Sequence, residues 1–235
     1  GVESVLARSM QTARQSASVF DQAMGRSMEH TILTTERLQS ATDDSAQNDV
    51  GMDSAGNRLA GQLEVVARLI RNREALGMPR QVFFVRMGGW DTHGQQAVRL
   101  PVLLNELDEA LAMFHGAVDR LGVANSVTTF TASDFGRTLT SNGDGTDHGW
   151  GGHAFVIGGA VNAGTYGTFP SYAKTNNPDD TGDRRNNFAG RLIPTTSVAQ
   201  YGATLARWMG LSERQLDQAF PELSNFPLRD LGFLS

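Results

Sequence analysis

At 235 residues, 40% hydrophobic and 19% charged, the chain has a globular composition with room for one sizeable core, in one domain or at most two. Its 20 basic and 25 acidic residues give a net charge of −5, and Arg184-Arg185, the nearest thing to a basic cluster, is hemmed by Asp179, Asp180 and Asp183, so no nucleic-acid or anionic-membrane partner is expected. The absence of cysteine removes disulfides, thiolate zinc sites and cysteine nucleophiles, and no apolar run is long enough for a membrane span.

The chain opens on Gly1-Val2-Glu3 without an initiator methionine or a signal peptide, the pattern of a processed or trimmed start. Over residues 1–50, Val5, Met10, Ala13, Val19 and Met24 recur at helical spacing among polar residues, which predicts loosely anchored helices. Ser40 to Asn57, rich in Asp, Asn, Ser and Gly, reads as a loop, so residues 1–58 form a helical and loop segment ahead of a main domain at 59–235. Leu59, Leu63, Val66 and Ile70 then mark an amphipathic helix, with Gly77 behind Leu76 as its C-cap. The continuous run Gln81–Val85, after Pro79, has the pattern of a strand buried on both faces.

From Leu100, apolar residues at 103, 107, 111, 114, 118 and 121 hold helical spacing, with Pro101 in the first turn and Gly122 after the end. Val127–Thr131 reads as a second strand. Strand, long helix and strand predict a βαβ unit, hence an α/β fold with a parallel sheet. A glycine-rich stretch, Ser141 to Gly152, leads to a third apolar run, Ala154–Ile157. Residues 171–190 read as a polar loop, and helices follow from about Ser197 to Met209 and from Ser212-Glu213.

In open α/β sheets ligands bind beyond the carboxyl ends of the strands. The first run leads into Gly88-Gly89-Trp90-Asp91-Thr92-His93-Gly94, and the second into Ser133-Asp134-Phe135-Gly136-Arg137. A third cluster, Asp147-His148-Gly149-Trp150-Gly151-Gly152-His153, precedes the third run. Asp91, His93, Asp134, His148 and His153 are therefore the candidate ligands of a divalent metal. Mixed imidazole and carboxylate ligation suits zinc foremost, then manganese or iron, ions that activate water or polarise a phosphoryl-type oxygen. Taken singly, each loop has a blander reading: a capped turn at Asp91, an N-cap at Asp134, carbonyl contacts for His148 and His153. Together the three loops favour the metal.

Arg137 is a candidate contact for an anionic substrate. His30 and His115 lie in helical segments and read as surface or packing residues. Asn142 to Asp147 superficially suggests a calcium loop but lacks the full spacing and the terminal Glu. No nucleophile elbow, P-loop or dinucleotide fingerprint is present.

Arg80 to Gly94 (RQVFFVRMGGWDTHG), Thr131 to Thr138 (TASDFGRT), Gly145 to Gly159 (GTDHGWGGHAFVIGG) and Gly190 to Gly210 (GRLIPTTSVAQYGATLARWMG) resemble the DUF1501 family of bacterial proteins. That family is grouped with the alkaline phosphatase and sulfatase-like superfamily. The resemblance implies a mostly parallel sheet sandwiched by helices. One metal would take Asp91, His93 and His153 (or His148). A second would take Asp134, where Phe135 replaces the usual histidine, with His148 completing it. It further implies a periplasmic or exported protein, acting as a metal-dependent hydrolase on a small anionic phosphate or sulfate ester or a polymer. The alternative is a catalytically inactive exported binding or scaffold protein that keeps the fold, favoured by Phe135 and by the lack of a recognisable nucleophile before Asp91.

Overall fold

The computed structural model describes residues 2–16, 18–43, 45–172, 180 and 190–235, in two compact units, Gly1–Val85 and Arg86–Ser235. In the first unit the expected helices are α1 (Val2–Gln15) and α2 (Val19–Thr42), packed as a hairpin. Ser18 starts α2, its side chain accepting from the Asp21 N–H at 3.3 Å. Helix α3 (Arg58–Arg71) begins at Asn57, whose side chain accepts from the Ala60 N–H at 2.9 Å. It buries Leu59, Leu63, Val66 and Ile70, the stripe read from the sequence. The short α4 (Arg73–Leu76) stops at Gly77, whose φ of 66° is the left-handed conformation that glycine adopts at least cost.

The second unit begins its regular structure with α5 (Gln96–Arg120), which buries Ala110, Phe114, Ala117 and Val118. The helix starts at Gln96, so Pro101 lies inside it rather than in the first turn. Its free N-terminal N–H groups are satisfied from a distant turn: Gln95 N–H donates to the Asp144 carboxylate at 2.9 Å and Gln96 N–H to the Asp144 carbonyl at 3.1 Å. Four short strands follow: β1 (Thr128–Phe130), β2 (Gly136–Ser141), β3 (Thr146–Gly149) and β4 (Val156–Gly158). Helices α6 (Val198–Trp208) and α7 (Glu213–Ala219) each open on a capping box, Ser197 with Gln200 and Ser212 with Gln215. Ala203 of α6 and Leu216 of α7 form a core with Leu223, flanked by Ala206, Leu211 and Phe220.

The expected α/β architecture, a mostly parallel sheet sandwiched by helices with an alkaline phosphatase-like core, is overturned. The chain is largely helical, and among the described residues its strands form two antiparallel pairs, β1 with β4 and β2 with β3. The second and third apolar runs pair with each other, Thr128 opposite Gly158, and not with the first. Gln81–Val85 joins no ladder, and Val82 and Phe84 are 78% and 91% exposed. A strand buried on both faces needs a neighbour along each edge and a layer over each face, and this run has no neighbouring strand among the described residues. Phe84→Ser should therefore change the unfolding free energy by no more than about 0.5 kcal/mol, whereas a two-sided buried strand would lose roughly 3–5 kcal/mol on removal of the ring. Urea denaturation separates the two outcomes.

Among the described residues no helix is long and apolar enough to cross a membrane. Most of the polar stretch 171–190, Arg184-Arg185 included, lies outside the described residues.

Candidate metal centre

The centre is built where the β2–β3 hairpin meets the loop that leads into α5. Asp144, Asn142 and Arg137 are among the side chains that tie the two together. Asp144, at the hairpin turn, caps α5. Asn142 accepts from the Asp144 and Gly145 N–H groups at 3.2 and 2.8 Å, and its Nδ2 donates to the His93 carbonyl at 3.1 Å. Arg137 crosses from β2: Nη1 donates to the Thr146 carbonyl at 2.7 Å, and Nη2 to the Trp90 carbonyl at 2.6 Å and to Asp91 Oδ1 at 2.9 Å. Between these ties the backbones nearly touch. A Cβ at Gly145 would fall 2.3 Å from the Thr92 carbonyl oxygen and 2.6 Å from the His93 carbonyl carbon. Only glycine fits there.

The result is a close triangle of donor atoms. Asp91 Oδ1 lies 3.0 Å from His93 Nε2 and 2.9 Å from His148 Nε2, and the two Nε2 atoms are 3.2 Å apart. Donors held about 2.0–2.1 Å from a tetrahedral zinc stand about 3.3 Å from one another, so the triangle has nearly the size of one face of such a site. The three side chains are about half exposed, at 54%, 47% and 48% for Asp91, His93 and His148, which leaves the centre open to solvent.

His93 Nδ1 faces Asp147 Oδ1 at 3.1 Å. A neutral imidazole carries one N–H. With that proton donated to Asp147, the Nε2 lone pair points at a carboxylate oxygen, an arrangement that repels unless a cation lies between. His148 is held by other means: Phe135 stacks on its ring at 4.1 Å and 10°, and Arg191 Nε donates to its carbonyl at 3.1 Å. The Arg137 guanidinium in turn sits 5.1 Å from the centre of the Phe135 ring.

The hydrogen bond from His148, with help from His93 and Arg137, holds the Asp91 carboxyl below the usual carboxylate range. The Asn142 and His93 hydrogen bonds do the same for Asp147. Both carboxylates thus stay anionic, as metal ligation and hydrogen-bond acceptance require.

Of the five candidate ligands, Asp91, His93 and His148 come together. Asp134 is exposed in the turn before β2, outside the triangle. His153 is also exposed and outside it, its ring 5.4 Å from that of Phe169. Arg137 commits its terminal nitrogens to Asp91 and to two carbonyls. In the loop that superficially suggested calcium, Asn142 and Asp144 serve as structural ties. His30 is exposed on α2, and His115 packs against Phe114 at 5.7 Å, its pKa lowered by burial. Sequence reasoning missed the contacts that Asn142 and Asp147 make with His93 and that Phe135 makes with His148. Asp147 was visible as the neighbour of His148 and as the last residue of the stretch that superficially suggested calcium.

Comparison with curated proteins and with solved structures found no match. A family model described as "Protein of unknown function (DUF1501)" matches residues 3–220 and so spans every residue of the centre. The chain belongs to the DUF1501 family.

Proposed function

We propose that the chain is a metal-dependent hydrolase of phosphate or sulfate esters in which Asp91, His93 and His148 hold one zinc ion. The observation that carries this reading is the convergence of three donor atoms, all within 4.8 Å of one another, on a solvent-open point. Two imidazole nitrogens and one carboxylate oxygen favour zinc over calcium or magnesium, which prefer oxygen throughout; manganese and iron are the next candidates. Three protein ligands with an open direction match catalytic zinc sites, whereas structural sites are closed by four.

When bound, zinc supplies a Lewis acid for a phosphoryl or sulfuryl oxygen and lowers the pKa of water. The protein's part is to hold that chemistry in place. Asp91 contributes negative charge and is fixed by Arg137. Phe135 sets the plane of His148, and the exposed rim admits a small anionic ester or the end of an anionic polymer. In the net reaction water adds to phosphorus or sulfur, the ester oxygen leaves, and a proton from water passes to the released alcohol.

Elemental analysis of purified protein, with assays on aryl phosphates and aryl sulfates with and without chelator, tests the reading. The expected result is one zinc per chain and turnover that chelator removes and zinc restores. Protein that retains no ion after zinc loading and shows no chelator-sensitive turnover would refute it. A second reading is a binding or scaffold protein that keeps a metal centre without turnover. Arg137 favours it, because its committed nitrogens leave that side chain little to offer a substrate anion. Stoichiometric zinc with no hydrolysis of either ester class would select it.

A further inference from the structure

We infer that Asp147 is the positioning residue of this centre: its carboxylate accepts a hydrogen bond from the Nδ1–H of His93, which keeps the ring proton on Nδ1 and so presents the Nε2 lone pair to the ion. The inference rests on the metal reading above and assigns a role to a residue outside the triangle.

The geometry is specific. His93 Nδ1 and Asp147 Oδ1 are 3.1 Å apart, while Nε2 on the far side of the same ring lies 3.0 Å from Asp91 Oδ1 and 3.2 Å from His148 Nε2. Asp147 is itself held on two sides. Its backbone N–H donates to Thr138 Oγ1 at 3.1 Å, and Thr138 is buried at 5% exposure. Its Oδ1 also accepts from Asn142 Nδ2 at 3.2 Å, the same nitrogen that donates to the His93 carbonyl at 3.1 Å. One amide therefore fixes the acceptor and the backbone of the histidine it serves.

A histidine that ligates a metal through one ring nitrogen needs its other N–H held by an acceptor, which sets tautomer and ring plane together and makes the ligating nitrogen more basic. His93 has such an acceptor in Asp147. His148 is oriented instead by the face of Phe135. The two imidazoles are thus placed by unlike means, and loss of the Asp147 charge should weaken one ligand and leave the other as it was.

The test compares wild type, Asp147→Ala and the isosteric Asp147→Asn as full chains. Zinc affinity is measured by competition with a chromophoric chelator, and the histidine tautomers by nitrogen–proton NMR of the zinc-free proteins. Asp147→Ala should bind zinc about 10–100-fold more weakly than wild type, with Asp147→Asn between them. The NMR should place the His93 proton on Nδ1 in wild type and show it redistributed to Nε2 in Asp147→Ala, with His148 unchanged. A loss of fold would not move the two histidines differently, and Asp147→Asn covers the case in which alanine is not tolerated. Wild type that binds zinc while both variants bind it equally well overturns the role of Asp147 and leaves the metal centre standing. A wild-type His93 proton on Nε2 also overturns it. Wild type that binds no zinc removes the centre and this role together.

Discussion

Zinc at a hundred times its dissociation constant should raise the unfolding free energy of the unit 86–235 by about 2.7 kcal/mol, and His148→Ala should abolish that gain. For a unit of this size the gain corresponds to a rise in melting temperature of roughly 5–11 °C. A bound ion would stabilise the native state because the proposed ligands come from segments far apart in the chain, Asp91 and His93 before α5 and His148 on β3, and the unfolded chain cannot gather them. His148 is the informative position. Its side chain is about half exposed, and its main packing partner is Phe135, so in zinc-free protein alanine should cost no more than about 0.5–1.5 kcal/mol, the worth of one stacked ring pair. Differential scanning calorimetry with and without zinc measures both quantities. An equal zinc-induced shift in wild type and His148→Ala would mean that the ion binds elsewhere.

Gly145→Ala should be the more damaging substitution, although it touches no ligand. The new methyl would lie 2.3 Å from the Thr92 carbonyl oxygen and 2.6 Å from the His93 carbonyl carbon, and both are backbone atoms without a rotamer to escape into. The hairpin must move off the loop, at a cost of about 1–3 kcal/mol. Movement of the hairpin carries Asp147 and His148 away from Asp91 and His93, so zinc-dependent stabilisation should vanish with it. Gly88→Ala is the matched control. A Cβ there meets nothing within 4 Å, and the variant should melt and respond to zinc as wild type does. Should Gly145→Ala keep the full zinc response, the hairpin and the loop would not be in the register described.

The helices were legible because their signals are local. The stripe from Leu59 to Ile70 and the helix starts at Ser197 and Ser212 each act within a turn or two and form as read, while the helix expected to run on to Gly77 ends at Arg71, and Gly77 closes the short α4 instead. The strands were not, since pairing is decided by residues far apart. Val127–Thr131 looked like the second strand of a parallel sheet, but Thr128 lies opposite Gly158 in an antiparallel pair. The apolar character of Gln81–Val85 carried no information about whether a partner strand exists.

The same division runs through the centre. Asp91 and His93 were visible in one short loop flanked by glycine. The choice between His148 and His153 was not, because both lie in one glycine-rich stretch. Pairing with β2 decides it, by setting His148 opposite Arg137, whose guanidinium reaches Asp91. His153 lies past the end of β3, beside Phe169. Asp147 escaped notice as a partner of His93 because the contact spans 54 residues and exists only once the hairpin has docked.

X-ray absorption of zinc-loaded protein, repeated on His93→Ala and His148→Ala, tests most directly whether Asp91, His93 and His148 share one ion. Wild type should show two imidazole nitrogens and a carboxylate oxygen at about 2.0–2.1 Å, and each variant should lose one imidazole from the shell or fail to load. A wild-type shell with no imidazole, or one left unchanged by both substitutions, would contradict the shared site.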